Sequence, residues 1–248
     1  MSTVLPALPA FLAALPVDQA GLLARLHAFA LLPSWHWHPA RAPWKDEQQA
    51  LGALAQQPAL ARALHRRWSQ QLLAGFSAEP AGLADLSHPA LPLALAPPEL
   101  LQRCARLGGA LLLGPGLRRV VLRAPVLALR AALGAETLHW ICREGMALHP
   151  GLDGFQAWLP EAPQGLDAAE AAGWLHAADR LGAGLLAQAW QDAPAGLRQR
   201  ADGKLPPSAD DPAVRAASGL PPAGARALCL QLLTRLEPIW LSSFPATP

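Results

Sequence analysis

The fold of this chain is decided by residues 98–150, which read PELLQRCARLGGALLLGPGLRRVVLRAPVLALRAALGAETLHWICREGMALHP. A stripe of apolar residues opens the stretch and recurs every three or four positions, namely at Leu100, Cys104, Leu107 and Leu111. This interval places the four side chains on one face of an α-helix. The stripe therefore predicts a helix with a buried face at the start of the stretch.

Two breaks divide the rest of this stretch. The first is Gly114-Pro115-Gly116, where we expect a sharp turn before a short helix over 117–124. The second is Gly134, which precedes another apolar stripe between Leu138 and Leu148. Because leucines are densest here, we expect residues 98–150 to form the centre of the core.

Positive charge is concentrated in the same stretch. Seven arginines against three glutamates give residues 98–150 a net charge of +4, whereas the whole chain carries only +2. Arginine makes forked contacts to carboxylates and tolerates burial at interfaces, so a basic docking surface for an acidic protein is one interpretation. An ordinary solvated helix face is the other. The candidate partner-binding arginines are Arg103, Arg106, Arg118, Arg119 and Arg123.

The remainder of the chain also predicts helices. Apolar periodicity favours helices over 21–32, 46–57, 59–74, about 167–190 and from about 222 onwards, with Asp46 as an N-cap and Asp167 with Glu170 as a capping box. The apolar stripe of the last helix consists of Leu228, Cys229, Leu232, Leu236 and Trp240. We expect both Pro-rich segments, 77–98 and 194–222, to be mostly loop. The first of them is also expected to wrap the surface. We therefore predict an all-α fold: residues 1–25 as an N-terminal extension, and 26–248 as a single compact domain of about seven to nine helices with long Pro-rich loops.

Composition limits the class of protein. With 52% hydrophobic and 15% charged residues among 248, the chain can bury a substantial core, which excludes disorder throughout. The opening residues lack a basic n-region, and the three cysteines have no paired spacing, so we expect a reduced, cytoplasmic protein. The uncharged apolar run over 107–117 is too short to span a bilayer, so no direct membrane insertion is expected.

Other motifs contain residue types that can bind metals, partners or nucleotides. His36 and His38 form an H-x-H pair, and His139 with the cysteines could supply further ligands, but neither set has the spacing of a zinc site. Aromatic packing with half-exposed histidines is the first interpretation of this segment. The second is that Trp35 and Trp37 contact a partner, because tryptophan is enriched at interface anchors. Gly182 to Ala187 matches G-x-G-x-x-A inside a helix, where small residues favour close packing. No acid, base or nucleophile is nominated, so we expect neither an enzyme nor a cofactor.

A family resemblance rests on several runs, listed here in chain order: Phe29 to His38, Arg103-Cys104-Ala105-Arg106-Leu107-Gly108, Leu117 to Leu122, Pro125, Leu133 to Leu138, and Ala227 to Phe244. In these runs the chain resembles the SctK family (YscK/PscK-like), the accessory proteins of the type III secretion sorting platform. Only the central runs are distinctive, and they are packing motifs and not a chemical signature.

The resemblance implies a cytoplasmic, all-helical adaptor without enzymatic activity. Family members link the cytoplasmic domain of the inner-membrane ring protein SctD to the pod protein SctQ, and through it to SctL and the ATPase SctN. The implied location is peripheral, at the cytoplasmic face of the inner-membrane injectisome base. The alternative is a helical nucleic-acid-binding regulator that uses the arginine-rich face, although 117–133 is too leucine-rich to supply an obvious recognition helix.

Overall fold

The computed structural model describes residues 20–76, 87–148, 152, 168–242 and 244. Within these ranges the regular secondary structure is entirely helical, which confirms the predicted all-α fold. These ranges hold thirteen α-helices, of which nine have seven residues or more and four have only four or five. The count exceeds the predicted seven to nine because one-turn helices are too short to produce a periodic pattern.

The helices are numbered here in chain order. The first seven are α1 (Ala20–Leu31), α2 (Lys45–Leu51), α3 (Pro58–Gly75), α4 (Leu91–Leu95), α5 (Pro98–Leu112), α6 (Gly114–Leu117) and α7 (Arg123–Leu133). The last six are α8 (Ala135–Arg143), α9 (Ala168–Ala189), α10 (Ala195–Asp202), α11 (Pro212–Ala216), α12 (Pro222–Leu236) and α13 (Pro238–Ser242). Short 3-10 helices lie at Pro33–Trp35, Pro39–Arg41, Gly52–Gln56, Gly145–Leu148 and Pro207–Asp210.

Helices α5 and α9 form the central pair of the fold. They approach closely at glycines: a Cβ atom on Gly109 would overlap the carbonyl of Ala178, and one on Gly182 would overlap the carbonyl of Ala105. Each glycine thus lets one helix backbone touch the other. This confirms that the glycines of the G-x-G-x-x-A run serve helix packing.

The main core is built around this pair. The predicted stripe of α5 is buried at every position, with Leu100, Cys104, Leu107 and Leu111 no more than 7% exposed. Helix α12 packs against both α5 and α9, and its Leu228, Cys229 and Leu232 are fully buried. The helical periodicity of the sequence therefore identified the inner faces of α5 and α12 correctly.

A second, smaller cluster lies between residues 33 and 76. Trp44 stacks on Trp68 with ring centroids 5.0 Å apart, and Leu64 is buried beside them. Ser34 links the 3-10 helix Pro33–Trp35 to α3, because its hydroxyl lies 2.7 Å from the hydroxyl of Ser69 and 3.0 Å from Nδ1 of His65. This cluster fixes the residues just before the aromatic segment 35–39.

The connection between α5 and α7 differs from the prediction. A helix was expected over 117–124 after a sharp turn, but the turn residues themselves form α6, and α7 begins only at Arg123. Pro115 is tolerated in the first turn of α6, where a backbone N–H would have no helical partner. Pro125 has no N–H to donate to Val121, so α7 starts close before it. Residues 118–122 are left as an irregular, largely exposed link.

The loop prediction is wrong for the described part of the first Pro-rich segment, 87–98, and for the second segment, 194–222, whereas residues 77–86 lie outside the described ranges. Helix α4 lies inside 77–98 and is buried, with Leu93 and Ala94 inaccessible to solvent, although it was expected on the surface. The segment 194–222 contains α10, α11 and a 3-10 helix. Prolines stand in the first turn of α4 and α11 and directly before α10, where they start helices instead of breaking them.

Both ends of α2 differ from the predicted helix over 46–57. Trp44 occupies the N-cap of α2 in place of the expected Asp46, and α2 ends at Leu51, where the positive φ of Gly52 stops it.

Some predicted features lie outside the described ranges, namely the capping residue Asp167 and residues 1–19 of the predicted extension. Residues 20–25 of that extension belong to α1. Among the described residues, every helix is too short or too polar to cross a bilayer.

Candidate functional site

Three of the predicted arginines lie together on the outside of the molecule. Arg118, Arg119 and Arg123 are exposed in and directly after the link between α6 and α7. They flank Val121 and Leu122, which are 80% and 62% exposed. The first turns of α7 continue the same surface with Leu127, which is 51% exposed, and Arg130. We call these seven residues the arginine-rimmed surface: Arg118, Arg119, Val121, Leu122, Arg123, Leu127 and Arg130.

The arginines of this surface are not neutralised within the described part of the chain. None of Arg118, Arg119, Arg123 and Arg130 has a carboxylate within ion-pair distance there, whereas six other arginines do. Exposed leucine and valine at the centre with charged groups around them is the composition of a protein interface. Unpaired guanidinium groups remain available to a partner's carboxylates.

Arg103 and Arg106, the other two predicted arginines, occupy a different place. Arg106 makes a forked ion pair with Asp179, at 2.9 and 2.8 Å, which ties α5 to α9 and raises the pKa of the guanidinium. Arg103 donates to the carbonyl of Leu236 at 3.5 Å. Both line a depression of about 360 Å³ to which none of the arginines 118–130 contributes. The five predicted arginines therefore fall into two groups, and Arg106 already has a partner.

The predicted tryptophans also differ from each other. Trp35 meets the ring of His65 edge-on, and half of its surface is exposed to solvent. Trp37 is half-buried: it stacks on Phe76, packs against Gly203 so closely that a Cβ there would overlap its ring, and donates Nε1 to the Arg41 carbonyl. Trp35 is thus available for binding, whereas Trp37 holds the segment in place.

Segment 35–39 is tethered to the chain after α10. The backbone N–H of His38 donates to Gly203 O at 2.7 Å, and Arg41 donates to Leu205 O at 2.6 Å and pairs with Asp210 at 2.7 Å. The segment forms one wall of a cavity of about 610 Å³, and the facing walls come from α5, α9 and residues 204–208. We call this cavity the aromatic cleft.

Lys204 is a buried lysine in the lining of the aromatic cleft. Only 6% of it is exposed, and its ammonium donates to the carbonyls of Ala94 at 2.7 Å and Ala96 at 3.0 Å. Because helix α4 ends at Leu95, Lys204 satisfies backbone acceptors left over at a helix C-terminus. Its Nζ also lies 4.9 Å from the ring centre of Phe29. Burial lowers the pKa of Lys204 to about 7.

The histidines of the cleft do not assemble a metal site. Burial, reinforced by the nearby charge of Lys204, lowers the pKa of His36 to about 4, so the ring is neutral at physiological pH. Burial also lowers the pKa of His38, whose Nδ1 accepts from the backbone N–H of Ala40. Among the described residues no three histidine, cysteine or acidic side chains are grouped closely enough to hold a metal ion.

A serine–histidine contact was not expected from the sequence. Ser34 and His65 are within hydrogen-bond distance, an arrangement from which nucleophiles can be built. Here Ser34 is only 4% exposed, does not line the aromatic cleft, and also bonds to Ser69 and to the His65 carbonyl. A substrate could not reach its hydroxyl, so the contact is structural.

Comparison with protein-family models, curated proteins and solved structures found no match to this chain. The site must therefore be argued from its own residues. Sequence reasoning missed Lys204 and the exposed apolar residues Val121, Leu122 and Leu127. Lys204 is one of only two lysines, but its rarity alone says nothing about burial. Val121 and Leu122 fall within the helix that the sequence predicts over 117–124, and nothing in the local sequence indicates that they or Leu127 are exposed.

Proposed function

We propose that this chain is a non-enzymatic adaptor that binds an acidic protein through the arginine-rimmed surface. The observation that carries this proposal is a group of four exposed arginines around three exposed large apolar side chains, and these arginines have no ion-pair partner among the described residues. Apolar residues form the centres of protein interfaces, and arginine is enriched there. A second copy of the same chain is a poor occupant, because a two-fold interface would bring like charges together.

The family resemblance gives this adaptor a place and partners. As an SctK-like protein it would sit peripherally at the cytoplasmic face of the injectisome base, between the SctD cytoplasmic domain and SctQ, with SctL and SctN further along. Two observations support this. The fold is all-helical, and several of the residues that carry the resemblance are buried, among them Cys104, Leu138 and Leu228. A resemblance in packing residues is therefore a resemblance in how the core is built.

The proposal is tested by titrating the purified chain with the cytoplasmic domain of SctD and, separately, with SctQ from the same secretion system. An adaptor should bind both and form a ternary complex on size-exclusion chromatography. Heat signals absent for both partners at micromolar concentrations would overturn the proposal.

The nucleic-acid alternative makes an opposite prediction. Phosphate-binding surfaces are more polar than protein interfaces, so the exposed Val121, Leu122 and Leu127 count against it. A nucleic-acid binder would show affinity that falls steeply as salt releases counterions. Duplex DNA and single-stranded RNA should give no binding to this chain even at low salt.

A further inference from the structure

Lys204, which lines the aromatic cleft, is a buried cation with spare hydrogen-bonding capacity. An ammonium group has three N–H donors, and Lys204 spends two of them on the Ala94 and Ala96 carbonyls. No third hydrogen-bond acceptor and no carboxylate within ion-pair distance is found among the described residues. A buried charge without a counter-ion is unfavourable, and an anion in the cleft would relieve that cost.

The other charges around the cleft leave this cation uncompensated. Asp179 is engaged by Arg106, and Arg180 pairs with Asp211 at 2.9 Å. Among the neighbours that influence Lys204 electrostatically, Arg25 from α1 opposes its charge and Glu99 from α5 favours it, with Arg25 the stronger. The remaining titratable side chains in the lining of the cleft are those of His36, His38 and His176. Glu99 is therefore the one acidic lining residue without an ion-pair partner among the described residues.

We propose that the aromatic cleft binds a carboxylate carried on an apolar body. The carboxylate accepts the third N–H of Lys204, and the apolar body lies against a lining that includes Trp35, Pro98 and Leu101. A single cation fits a carboxylate better than a phosphate, which is usually held by several donors at once. The volume of about 610 Å³ lies within the range of small-ligand sites.

This site is separate from the arginine-rimmed surface. Its lining includes none of Arg118, Arg119, Arg123 or Arg130, so the inference does not depend on the proposed function. The carboxylate could come from a small organic acid or from an acidic side chain of a peptide. Lys204 recognises the same carboxylate group in both sources, and titration with a small acid and with an acidic peptide distinguishes them.

The test uses isothermal titration calorimetry of the full chain with matched pairs of probes. One pair is 3-phenylpropionate and its neutral amide; the other is the peptide acetyl-Leu-Glu-Leu-amide and its glutamine analogue. At least one acid should bind at pH 6, and its neutral partner should bind at least about tenfold more weakly, since a charge-assisted hydrogen bond is lost. Binding of the small acid alone identifies a small-molecule site, and binding of the peptide alone identifies a peptide site.

Two variants change the charge of the cleft in opposite directions. Lys204→Met should weaken acid binding about tenfold or more, whereas Glu99→Gln should tighten it about twofold by removing a repulsive charge. Lys45→Met, which alters the other lysine at an exposed position, should leave it unchanged. Affinity should also fall between pH 6 and pH 9, because Lys204, whose pKa burial lowers to about 7, loses its proton over that range.

Three results would overturn the proposal. They are no binding of either acid, equal binding of acid and neutral analogue, and undiminished binding to folded Lys204→Met. Circular dichroism establishes whether that variant folds. If it does not, the acid–amide comparison and the direction of the Glu99→Gln effect decide the matter on folded protein.

Discussion

Replacing Lys204 with methionine should remove a pH dependence from the stability of this protein. Burial lowers the pKa of Lys204 from 10.5 to about 7, so the native state gives up a proton that the unfolded state keeps between these two values. The unfolded state then binds more protons, and stability must rise with pH across this window. Each pKa unit corresponds to about 1.4 kcal/mol, so the native protein should gain roughly 3–4 kcal/mol between pH 7 and pH 10 from this group alone.

The methionine variant also loses the two hydrogen bonds to the Ala94 and Ala96 carbonyls, so its absolute stability differs from that of the native protein at every pH. The prediction therefore concerns the difference in slope between the two proteins. Urea unfolding followed by tryptophan fluorescence at pH 7, 8, 9 and 10 measures it. Lys45→Met is the matched control and should keep the native slope. Parallel curves for the native protein and Lys204→Met would refute the assignment of a buried, uncompensated lysine.

Two further predictions concern the core and its thiols. Gly182→Ala should lower the free energy of unfolding by about 3 kcal/mol, because the added methyl group would overlap the Ala105 carbonyl. Gly173→Ala, in the same helix, adds a methyl group in open space and should raise the free energy of unfolding by up to about 1 kcal/mol. Equal effects of the two substitutions in chemical denaturation would contradict the close contact of α5 and α9. In the native protein a thiol reagent should label Cys142 alone, because Cys104 and Cys229 are buried. A hydrogen bond with Cys104, together with burial, also raises the pKa of the Cys229 thiol. Rapid labelling of all three cysteines without denaturant would be inconsistent with this packing.

The parts of the fold that could be predicted are those encoded by local periodicity. The stripes of α5 and α12 are regular and uninterrupted, so their buried faces could be read from the spacing of their leucines. Helices α4, α10 and α11 could not, because each is short and begins at or beside a proline that also occurs in loops. Proline at the start of a helix and proline in a loop look alike without the tertiary contacts that bury the helix.

The candidate site was predictable only in outline. The concentration of arginines was visible, but the ion pair of Arg106 with Asp179 joins residues 73 positions apart and has no local signal. The exposure of Val121 and Leu122 follows from Pro125, which delays the start of α7 and leaves these residues in a link. The burial and contacts of Lys204 could not be predicted, because Ala94, Ala96 and Phe29 come close to its ammonium only in the folded chain.

The arginine-rimmed surface is tested most directly by measuring how charge reversal there changes binding to the two proposed partners. Arg118→Glu/Arg119→Glu should weaken binding to either the SctD cytoplasmic domain or SctQ by at least about tenfold, while the protein keeps its fold and its affinity for the other partner. Arg62→Glu/Arg66→Glu, on the exposed face of α3, is the matched control with the same change in net charge, and it should leave both affinities unchanged. Unaltered binding of both partners to the Arg118/Arg119 variant, or equal losses in the two variants, would contradict a docking role for this surface.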